Sequence, residues 1–593
     1  MAPPARDDVD GRVELPRHRG DLLILAFVAA LPFLSLVHTP TGYLADPESE
    51  LPVKLWGFET FLTGHRLFGG FVDTVGWPHP GSLNDPDPVG VLVTGVLRPV
   101  LGRAWAWNGL VYGQLLANML AMRALLRGLT RSRGASVFGA VAFGLTPLIL
   151  VYCVVGAVSD MLNVWPWILA LRFLLAPSRF SGITAGVLAG VCAGLGFVTC
   201  PYNALVFSIL AIPLLPFVLS GTFVPARSAR FTSLAGVVLG AALVAGPYAW
   251  QMQRIMSASS SQMSTASVEE TRHAPPFPFL LPAHPDRYTA FLDDYVGVGK
   301  ARLIEREAGS RYYRAFSPGL CLYPPALAGL VLAGRRRKTL AWSLAAVFCA
   351  VASLGPYRPI TATLASTAPD NLVWLLLWSY WPGTKLLLEP FRYALPATVA
   401  LTIAAAQGLA TVERRSGSAR LLPALATLAW LVELVVVSPV PIPLPTASLA
   451  PSPAALSLKD RAGAVLELPY FAQASERFQR VHFYDQLVHG QAIPDEVLGF
   501  PAHYLRENNY TAALLAAEKP HGRITVQVSD PSAIEADRIT LGEAGFSHIL
   551  VDRAAFGNPS EYQAVAALLK PWGAPVSYGN VDVYDITERT PTP

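Results

Sequence analysis

Long apolar runs separated by short polar connections fill the chain up to residue 440. A helix that crosses a bilayer needs about 20 mostly apolar residues, and these runs have that length. The segment 89–101 is shorter and is interrupted by glycine and proline, which predicts an interfacial or re-entrant helix instead. The pattern predicts eleven spans, near residues 21–38, 104–126, 135–153, 158–176, 181–199, 202–220, 231–250, 318–334, 339–355, 393–412 and 421–440.

The polar stretch 1–20 precedes the first of these runs and is mixed in charge. The run itself has no convincing small-x-small cleavage site, which a secretory signal peptide would carry. We therefore expect 21–38 to be kept as the first span, with 1–20 as a tail.

Lysine and arginine mark every second connection between the predicted spans. Since basic residues collect in cytoplasmic loops, this alternation predicts a cytoplasmic N-terminus in the cell (inner) membrane. The loops 39–103, 251–317 and 356–392 and everything after 441 are then expected outside. The basic residues are Arg6, Arg12, Arg17, Arg19, Arg123, Arg127, Arg131, Arg133, Arg172, Arg179, Arg227, Arg230, Arg335, Arg336, Arg337, Lys338, Arg414, Arg415 and Arg420.

The tail after residue 441 changes character. Proline-rich sequence over 441–460 indicates a linker, and 461–593 mixes short β-like runs with helical patterns, which predicts a small extracytoplasmic α/β domain. The predicted fold is therefore a multi-pass α-helical membrane protein with a C-terminal α/β domain. Its predicted strands are Ala464–Leu468, Ile524–Val528, Ser547–Val551 and Val576–Tyr584, and its predicted helices include Ala512–Glu518 and Glu561–Leu569.

Composition supports a membrane-embedded body. Of the 593 residues, 52% are hydrophobic and only 15% charged, whereas a soluble protein carries about a quarter charged residues. The net charge of +4 gives no reason to expect nucleic acid as a partner. The cysteines fall in or beside apolar runs and form no C-x-x-C pair, so they predict neither a metal site nor a disulfide framework; they are Cys153, Cys192, Cys200, Cys321 and Cys349.

The loop after the first span is the strongest candidate for chemistry. Asp46 lies just beyond that span, where a carboxylate can act as general base on an acceptor hydroxyl or bind a divalent metal through oxygen. The alternative is a solvated acidic loop, which is common at helix ends. The acidic residues of this loop are Asp46, Glu48, Glu50, Asp73, Asp85 and Asp87.

Asp160 is the only charged residue in the apolar hairpin between the third and fourth predicted spans. An ionisable group at that depth is costly, which favours a functional role. The alternative is that Ser159 and Asp160 cap the N-terminus of the fourth span. In the functional interpretation Asp160 lies close to Asp46.

The segment 382–393, which leads into the tenth span, carries Lys385 and Arg392. Arg392 at the outer interface can hold a lipid phosphate by paired hydrogen bonds, and Lys385 can add positive charge. The alternative is that both side chains extend to the headgroups without a specific ligand.

Several short motifs, in this order, resemble the GT-C superfamily of polytopic membrane glycosyltransferases, and within it the bacterial YfhO-like branch. The similarity runs over nearly the whole chain and rests on the order of the motifs. The matching positions are Asp46 with Trp56-Gly57-Phe58 and Gly64; Trp77-Pro78-His79-Pro80-Gly81; Pro282, Tyr313 and Gly319; Pro390-Phe391-Arg392-Tyr393 leading to Gly408; and, in the tail, Ala464–Pro469, His489-Gly490 and Gly545–Val551.

The resemblance implies sugar transfer from a polyprenyl-phosphate donor to an outer-face acceptor, which would be an envelope glycan, a lipid or a protein. It makes Asp46 the first-loop catalytic carboxylate, Asp160 a second one, and Arg392 the arginine near the lipid phosphate. The sequence has Leu388 where family members often carry another arginine. The sequence does not decide whether a metal is bound; if a divalent metal is the cofactor, Asp46 and Asp160 are its candidate ligands, and otherwise no cofactor is expected. We expect substrate binding from Arg392, Lys385, Glu48, Trp77 and His79.

Two other classes of function compete with the transferase. A transporter or flippase of lipid-linked sugars would show internal repeats and polar or broken helices at the midplane, whereas the sequence shows no repeat and few charges inside its spans. A non-catalytic scaffold that binds envelope polymer through the outer domain is the second alternative.

Overall fold

The structure is a computed structural model of the chain. It describes residues 19–46, 49–64, 70–78, 81–83, 87–175, 182–223, 227–260, 295, 302–305, 311–314, 317–332, 336–356, 371–381, 384, 390–415, 421–437, 442–470, 476–494, 503–518, 531–556 and 558–587.

Helices occupy each of the eleven positions where spans are predicted. Five of these helices are long and apolar enough to cross a membrane, and two further bent pairs raise that number to seven within the described residues. Three more are apolar but shorter than 18 residues. The chain is therefore a multi-pass α-helical protein, while the count of eleven spans stays a prediction. The helices are α1 (Arg19–Ala30, continued by a 3₁₀ turn over Leu31–Val37), α2 (Leu51–Thr63), α3 (Pro88–Thr130), α4 (Arg133–Gly144, followed by a π-helical turn over Leu148–Val155), α5 (Trp165–Leu175), α6 (Gly182–Thr199), α7 (Pro201–Ser208), α8 (Ala211–Leu219), α9 (Arg227–Ser260), α10 (Tyr323–Leu332), α11 (Arg336–Ser353), α12 (Leu372–Tyr380), α13 (Ala394–Arg415) and α14 (Leu422–Val432).

The short apolar segment 89–101 and the second span form one long element, α3, with a sharp break inside it. Gly102 has a φ of 78°, a left-handed conformation that glycine adopts without steric cost. The side chain of Asp87 begins α3 by accepting a hydrogen bond from the amide of Gly90 at 2.9 Å. The two predicted pieces are thus both helical, and they change direction at Gly102.

The fourth predicted span begins later than expected. The sequence predicts a helix from about residue 158, but α5 begins only at Trp165. The residues before it form a tight turn in which the amide of Leu162 donates to Ser159 and that of Asn163 to Asp160. Asp160 is therefore not the N-cap of that helix, and the capping interpretation of Ser159 and Asp160 is wrong.

Helix α13 lies at the centre of the bundle, and nearly all its residues from Ala394 to Thr411 are buried. It packs against α4, α10 and α11. At Gly408 a side chain is impossible without movement, because a Cβ there would lie 1.7 Å from the carbonyl oxygen of Pro325. Small residues of this kind let helix backbones approach closely inside a bilayer.

The C-terminal region contains a four-stranded sheet with strand order β7-β8-β10-β9. β7 and β8 are parallel, and the other pairs are antiparallel. The predicted run Val576–Tyr584 is in fact a hairpin of two strands, because Gly579 turns the chain with a φ of 63°; the predicted strand Ile524–Val528 lies outside the described residues. The strands are β7 (Ala464–Leu468), β8 (Phe546–Asp552), β9 (Val576–Tyr578) and β10 (Val581–Asp585), and the helices are α15 (Pro453–Leu458), α16 (Glu476–His489), α17 (His503–Glu507), α18 (Asn509–Ala517), α19 (Pro531–Glu543) and α20 (Pro559–Leu569).

The described part of the proline-rich segment 441–460 is tied to the membrane part of the protein. Thr446–Ala447 (β6) pairs antiparallel with Tyr43–Leu44 (β1), next to Asp46. The amide of Leu444 donates to the carbonyl of Pro32 at 3.1 Å. This segment therefore fixes the C-terminal domain to the first loop. The two are called the outer domain and the first outer loop after their predicted side of the membrane. Two short hairpins complete the described strands: β2 (Gly70–Val72) with β3 (Gly81–Leu83), and β4 (Arg302–Glu305) with β5 (Arg311–Arg314).

Candidate functional site

Asp160 lies at the bottom of the turn between the π-helical end of α4 and the start of α5. Its side chain is 5% exposed. One carboxylate oxygen, Oδ1, accepts a hydrogen bond from the Lys54 ammonium at 2.7 Å, and the other, Oδ2, lies 3.4 Å from the thiol of Cys200. A buried charge needs such partners, and both oxygens of this carboxylate have one.

Lys54 is the residue that the sequence analysis missed. It lies on α2 in the first outer loop, and its side chain is only 8% exposed. The sequence does mark Lys54 as unusual, since it is the only lysine or arginine between Gly20 and His65. A single cation in an apolar helix that follows an acidic stretch predicts a buried partner, but the sequence does not say which carboxylate it pairs with.

The first loop is bound by its backbone to the turn that carries Asp160. The amide of Asp46 donates to the carbonyl of Val155 at 2.8 Å, and the amide of Glu50 to that of Gly156 at 3.1 Å. Asp46 itself is partly exposed. The structure thus places Asp46 and Asp160 on adjoining segments, and the predicted closeness of their two carboxylates stays a prediction.

Arg392 belongs to the same neighbourhood. It lies in the 3₁₀ turn Pro390–Tyr393 before α13, and its guanidinium carbon is 4.5 Å from the centre of the Tyr202 ring, which is a cation–π distance. Its positive charge acts on the Asp160 carboxylate. Tyr202 follows Cys200 at the start of α7, so one turn of chain contacts both Asp160 and Arg392.

Next to the Asp46 loop, therefore, one cation, Lys54, contacts the buried carboxylate of Asp160, and a second, Arg392, lies within electrostatic range of it. Lys54 and Arg392 outnumber Asp160, which leaves one net positive charge among these three side chains. Positive charge at this place can stabilise the phosphate of a ligand, and the partly exposed carboxylate beside it can accept a proton from a neighbouring group.

The outer domain also contacts α2, the helix that carries Lys54. The indole nitrogen of Trp56, two residues after Lys54, donates to Gln486 of α16 at 2.7 Å. The rings of Trp56 and Phe483 have their centres 5.0 Å apart. Helix α2 is thus bound on one side to the Asp160 turn and on the other to the outer domain.

Trp77 contacts the outer domain. Its indole nitrogen donates to the carbonyl of Ala544 at 2.8 Å, and its amide donates to the carbonyl of Ile493 at 3.2 Å. These contacts give Trp77 a role in holding the outer domain, and its predicted role in substrate binding stays a prediction. The other three predicted binding residues, Glu48, His79 and Lys385, lie outside the described residues.

Two further carboxylates of the first loop and α2, those of Asp87 and Glu59, have structural partners. Asp87 caps α3 and also accepts a hydrogen bond from the side chain of Asn163 at 3.2 Å. Glu59 binds Arg98, and its other oxygen accepts from Arg103 at 3.0 Å. The two contacts of Glu59 connect α2 to both parts of α3, on either side of the break at Gly102.

The donor set beside Asp160 does not fit a divalent metal ion. Among the described residues, no three His, Cys, Asp or Glu side chains are placed to hold one. Mg²⁺ and Ca²⁺ take six or more oxygen ligands, whereas Asp160 already contacts an ammonium and a thiol.

The fold was compared with known proteins. No protein-family model and no curated protein matches the sequence. Arabinofuranosyltransferase AftD from Mycobacteria is similar in structure, with a TM-score of 0.51 and 16% identity over 96% of this chain and 42% of the AftD chain. Oligosaccharyltransferase AglB from Archaeoglobus fulgidus, solved with an inhibitory peptide and a dolichol-phosphate, has a TM-score of 0.48 and 11% identity over 93% of this chain and 70% of its own. ArnT from Cupriavidus metallidurans bound to undecaprenyl phosphate has a TM-score of 0.43 and 13% identity over 95% of this chain and 96% of the ArnT chain.

The likeness to AftD concerns the fold. At these low identities it says nothing about substrates, and the chain spans 42% of the AftD length. The superfamily expected from the sequence motifs and its YfhO-like branch both stay predictions. This chain has an overall fold similar to that of the arabinofuranosyltransferase AftD.

Proposed function

We propose that the protein is a membrane glycosyltransferase. It moves a sugar from a polyprenyl-phosphate donor to an acceptor at the outer face of the cell membrane, where the acceptor is an envelope glycan, a lipid or a protein. The observation that carries this proposal is the shared neighbourhood of Asp160, Lys54 and Arg392 beside the Asp46 loop.

The roles follow from charge and exposure. Asp46 is partly exposed and accepts the proton of the acceptor hydroxyl as general base. The hydroxyl oxygen then forms the new bond to the anomeric carbon as the bond from that carbon to the phosphate oxygen breaks, and polyprenyl phosphate leaves with the electron pair. A positioned base contributes about 10²–10⁴-fold in rate.

The cations act on the leaving group. Lys54 and Arg392 supply the positive charge that a departing phosphate needs. The buried carboxylate of Asp160 binds Lys54 directly and attracts Arg392 electrostatically. With base and phosphate site on opposite sides of the anomeric carbon, the transfer inverts the configuration. Asp160 is thus an organising carboxylate, and Asp46 is the base.

The fold supports this choice over the two alternatives. A membrane arabinofuranosyltransferase, AftD, has the same overall fold. A transporter would place its polar residues along a path through the bilayer midplane, whereas here they gather where the first loop, the Asp160 turn and the outer domain meet. A scaffold would need no carboxylate left partly exposed beside a buried lysine and a half-buried arginine.

The test is envelope glycan labelling in cells that depend on this gene. Cells that carry Asp46→Asn are expected to lose the labelled glycan made by cells with the natural protein, at equal protein level. In vitro, the purified protein is incubated with undecaprenyl phosphate in detergent, and bound lipid is counted by native mass spectrometry.

A matched control is Asp73→Asn, an exposed carboxylate of the same loop, which is expected to leave the glycan unchanged. If Asp46→Asn leaves the glycan intact while Arg392→Gln abolishes it, the general-base role is wrong. If neither change affects the glycan, the protein is a scaffold or a transporter.

A further inference from the structure

We propose that the end of the bundle opposite the candidate site binds an anionic phospholipid. The phosphate of this lipid contacts Arg133, and its acyl chains lie on exposed apolar side chains of α1 and α14. The site lies at the start of α1, whereas the Asp46 loop follows the 3₁₀ turn at its other end. The 19 residues Arg19–Val37 span about 30 Å as helix, which is the thickness of the hydrocarbon core. The two sites therefore belong to opposite leaflets, and this inference does not depend on the proposed sugar transfer.

This end of the bundle carries an excess of positive charge. The carboxylate of Asp21 binds Arg123 and Arg133, and that of Glu413 accepts a hydrogen bond from Ser132. Arginines outnumber these two carboxylates, and a positive surface attracts anionic headgroups. Six of them lie at the ends of α3, α4 and α13 that meet here: Arg123, Arg127, Arg131, Arg133, Arg414 and Arg415.

Asp21 holds two of these arginines in fixed positions. Its side chain is 1% exposed; Oδ1 accepts from Nε of Arg133 at 2.7 Å, and Oδ2 from Nε of Arg123 at 3.2 Å. The side chain of Arg133 nevertheless stays 51% exposed. A side chain that is already ordered loses less freedom when it binds a ligand. Arg133 therefore presents a preorganised guanidinium whose exposed part can bind phosphate.

Helix α1 presents an apolar surface next to this guanidinium. A Cβ at Gly20 would lie 3.8 Å from a terminal nitrogen of Arg133, so the first turn of α1 adjoins it. Further along α1, Leu23 and Phe27 lie one turn apart and are each 70% exposed. Because α1 with its 3₁₀ turn is long and apolar enough to cross a membrane, these side chains face acyl chains in a bilayer.

Helix α14 presents a second apolar surface at the same place. Pro423 in its first turn packs against Gly134, where a Cβ would lie 2.6 Å from the Cβ of Pro423. The neighbouring Leu421 and Leu425 are exposed. A cationic group next to two apolar surfaces matches a phosphate that is attached to acyl chains. A free phosphate ion would leave both surfaces uncovered.

The net charge selects the kind of lipid. A zwitterionic headgroup carries an ammonium group, which the excess of arginines repels, whereas the headgroup of phosphatidylglycerol carries only the negative phosphate. Polyprenyl phosphate shares the phosphate, but the proposed function uses it at the other leaflet. We therefore expect a diacyl anionic phospholipid at Arg133.

The experiment titrates phosphatidylglycerol, and separately phosphatidylcholine, onto the full-length protein in detergent after removal of bound lipid. Bound lipid is counted by native mass spectrometry. The variants are Arg133→Gln and, as the matched control, Arg254→Gln, which removes an exposed arginine on the opposite predicted side of the membrane. The natural protein and the control are expected to bind phosphatidylglycerol more tightly than phosphatidylcholine. Arg133→Gln is expected to bind phosphatidylglycerol about fivefold more weakly, the effect of one arginine near an anionic headgroup.

The melting temperature in the same detergent is the control for folding. If Arg133→Gln does not fold, Arg131→Gln combined with Arg415→Gln tests the same surface, because both side chains are exposed and lie outside the Asp21 contacts. This double variant is also expected to weaken the binding of phosphatidylglycerol. Unchanged binding by the folded variant that is used overturns the proposal.

Three further results would contradict this site. One is equal affinity of the natural protein for phosphatidylglycerol and phosphatidylcholine. Another is displacement of phosphatidylglycerol by glycerophosphate, which would assign the site to a soluble phosphate. The third is its displacement by undecaprenyl phosphate, which would make this a polyprenyl phosphate site; simultaneous binding of the two lipids is expected. No step measures sugar transfer, so failure of the proposed function leaves the result readable.

Discussion

Lys54 and Asp160 form a buried ion pair at 2.7 Å although 106 residues separate them in the chain. The pair joins α2 of the first outer loop to the turn before α5. Through Trp56 the same helix α2 is bound to the outer domain, so one element connects the candidate site with the C-terminal region.

Removal of either partner of this pair is expected to destabilise the protein by about 3–5 kcal/mol, because an unpaired charge is left buried. The variants are Lys54→Met, Asp160→Asn and the combination of both. Thermal unfolding in detergent should give a much smaller loss for the combined variant than for the sum of the single ones. Additive losses would show that the two side chains do not interact.

Arg392→Lys is expected to weaken the binding of undecaprenyl phosphate about tenfold, which corresponds to about 1.4 kcal/mol. Lysine keeps the charge but loses the planar fork that binds phosphate by two hydrogen bonds and packs on Tyr202. The Kd is measured by titration in detergent, with the melting temperature as the control for folding. An unchanged Kd would remove Arg392 from the lipid site.

Trp56→Phe is expected to loosen the contact between α2 and the outer domain, since it removes the indole N–H and leaves the Gln486 oxygen without that donor. Such a loss costs about 1–3 kcal/mol. Faster hydrogen exchange is expected in both 51–63 and 476–489. The matched control is Trp105→Phe, because Trp105 is exposed. Unchanged exchange in α16 would contradict this role for Trp56.

Gly408→Ala is expected to destabilise the bundle, because its Cβ would lie 1.7 Å from the Pro325 carbonyl oxygen and 2.9 Å from the Gly329 amide nitrogen. Overpacking of this kind costs about 1–3 kcal/mol or more. Gly113→Ala is the control, since a Cβ there meets nothing within 4 Å. The melting temperature should fall for the first variant only; equal melting temperatures would show that α10 and α13 can separate freely.

Asp485 is expected to make the stability of the protein depend on pH. Burial raises its pKa to about 6, and the nearby Glu467 carboxylate adds to this, while the hydrogen bonds from Ser452 oppose it. Because the native pKa lies above the ordinary value of 3.8, the stabilising contribution is complete below about pH 4 and is lost as the pH rises to about 6. The change is on the order of 3 kcal/mol.

The measurement for Asp485 compares the natural protein with Asp485→Asn between pH 4 and pH 7. As the pH rises across this interval, the melting temperature of the natural protein should fall relative to that of Asp485→Asn. The variant should not show this part of the pH dependence, because it has no carboxyl group at position 485. His482 and His489 also face Glu467, each at 3.5 Å, and both residues are present in the two proteins that are compared. Parallel curves would contradict the assignment.

The sequence alone located the helices at the eleven predicted spans, because each span is a local apolar run whose length and hydrophobicity do not depend on distant residues. It did not locate α2 or α12, which lie in stretches expected as loops. It did locate β7 and β8, each of which contains three consecutive apolar residues, at 464–466 and 549–551. It also named Asp160 and Arg392 as unusual charges beside apolar segments, and in the structure Arg392 lies within electrostatic range of Asp160.

Where the sequence prediction was wrong, the bounds of the elements were set by the backbone geometry of turns. The start of α5 and the hairpin of β9 and β10 depend on turns that hydrophobic patterning does not encode. The proline-rich segment was expected as a linker, yet its described part pairs with Tyr43–Leu44. Pairing across 400 residues leaves no local mark on either strand.

Only the tertiary structure gave Asp160 its partner. The sequence determined that a carboxylate lies in an apolar hairpin and that a single lysine follows the first span, since both are properties of short stretches. Which carboxylate the lysine meets depends on how α2 folds back between the Asp160 turn and the outer domain, and that is set by contacts such as Trp56 with Gln486 and Glu50 with Gly156. Charge pairing acts through space, so its outcome is fixed only when the helices are packed.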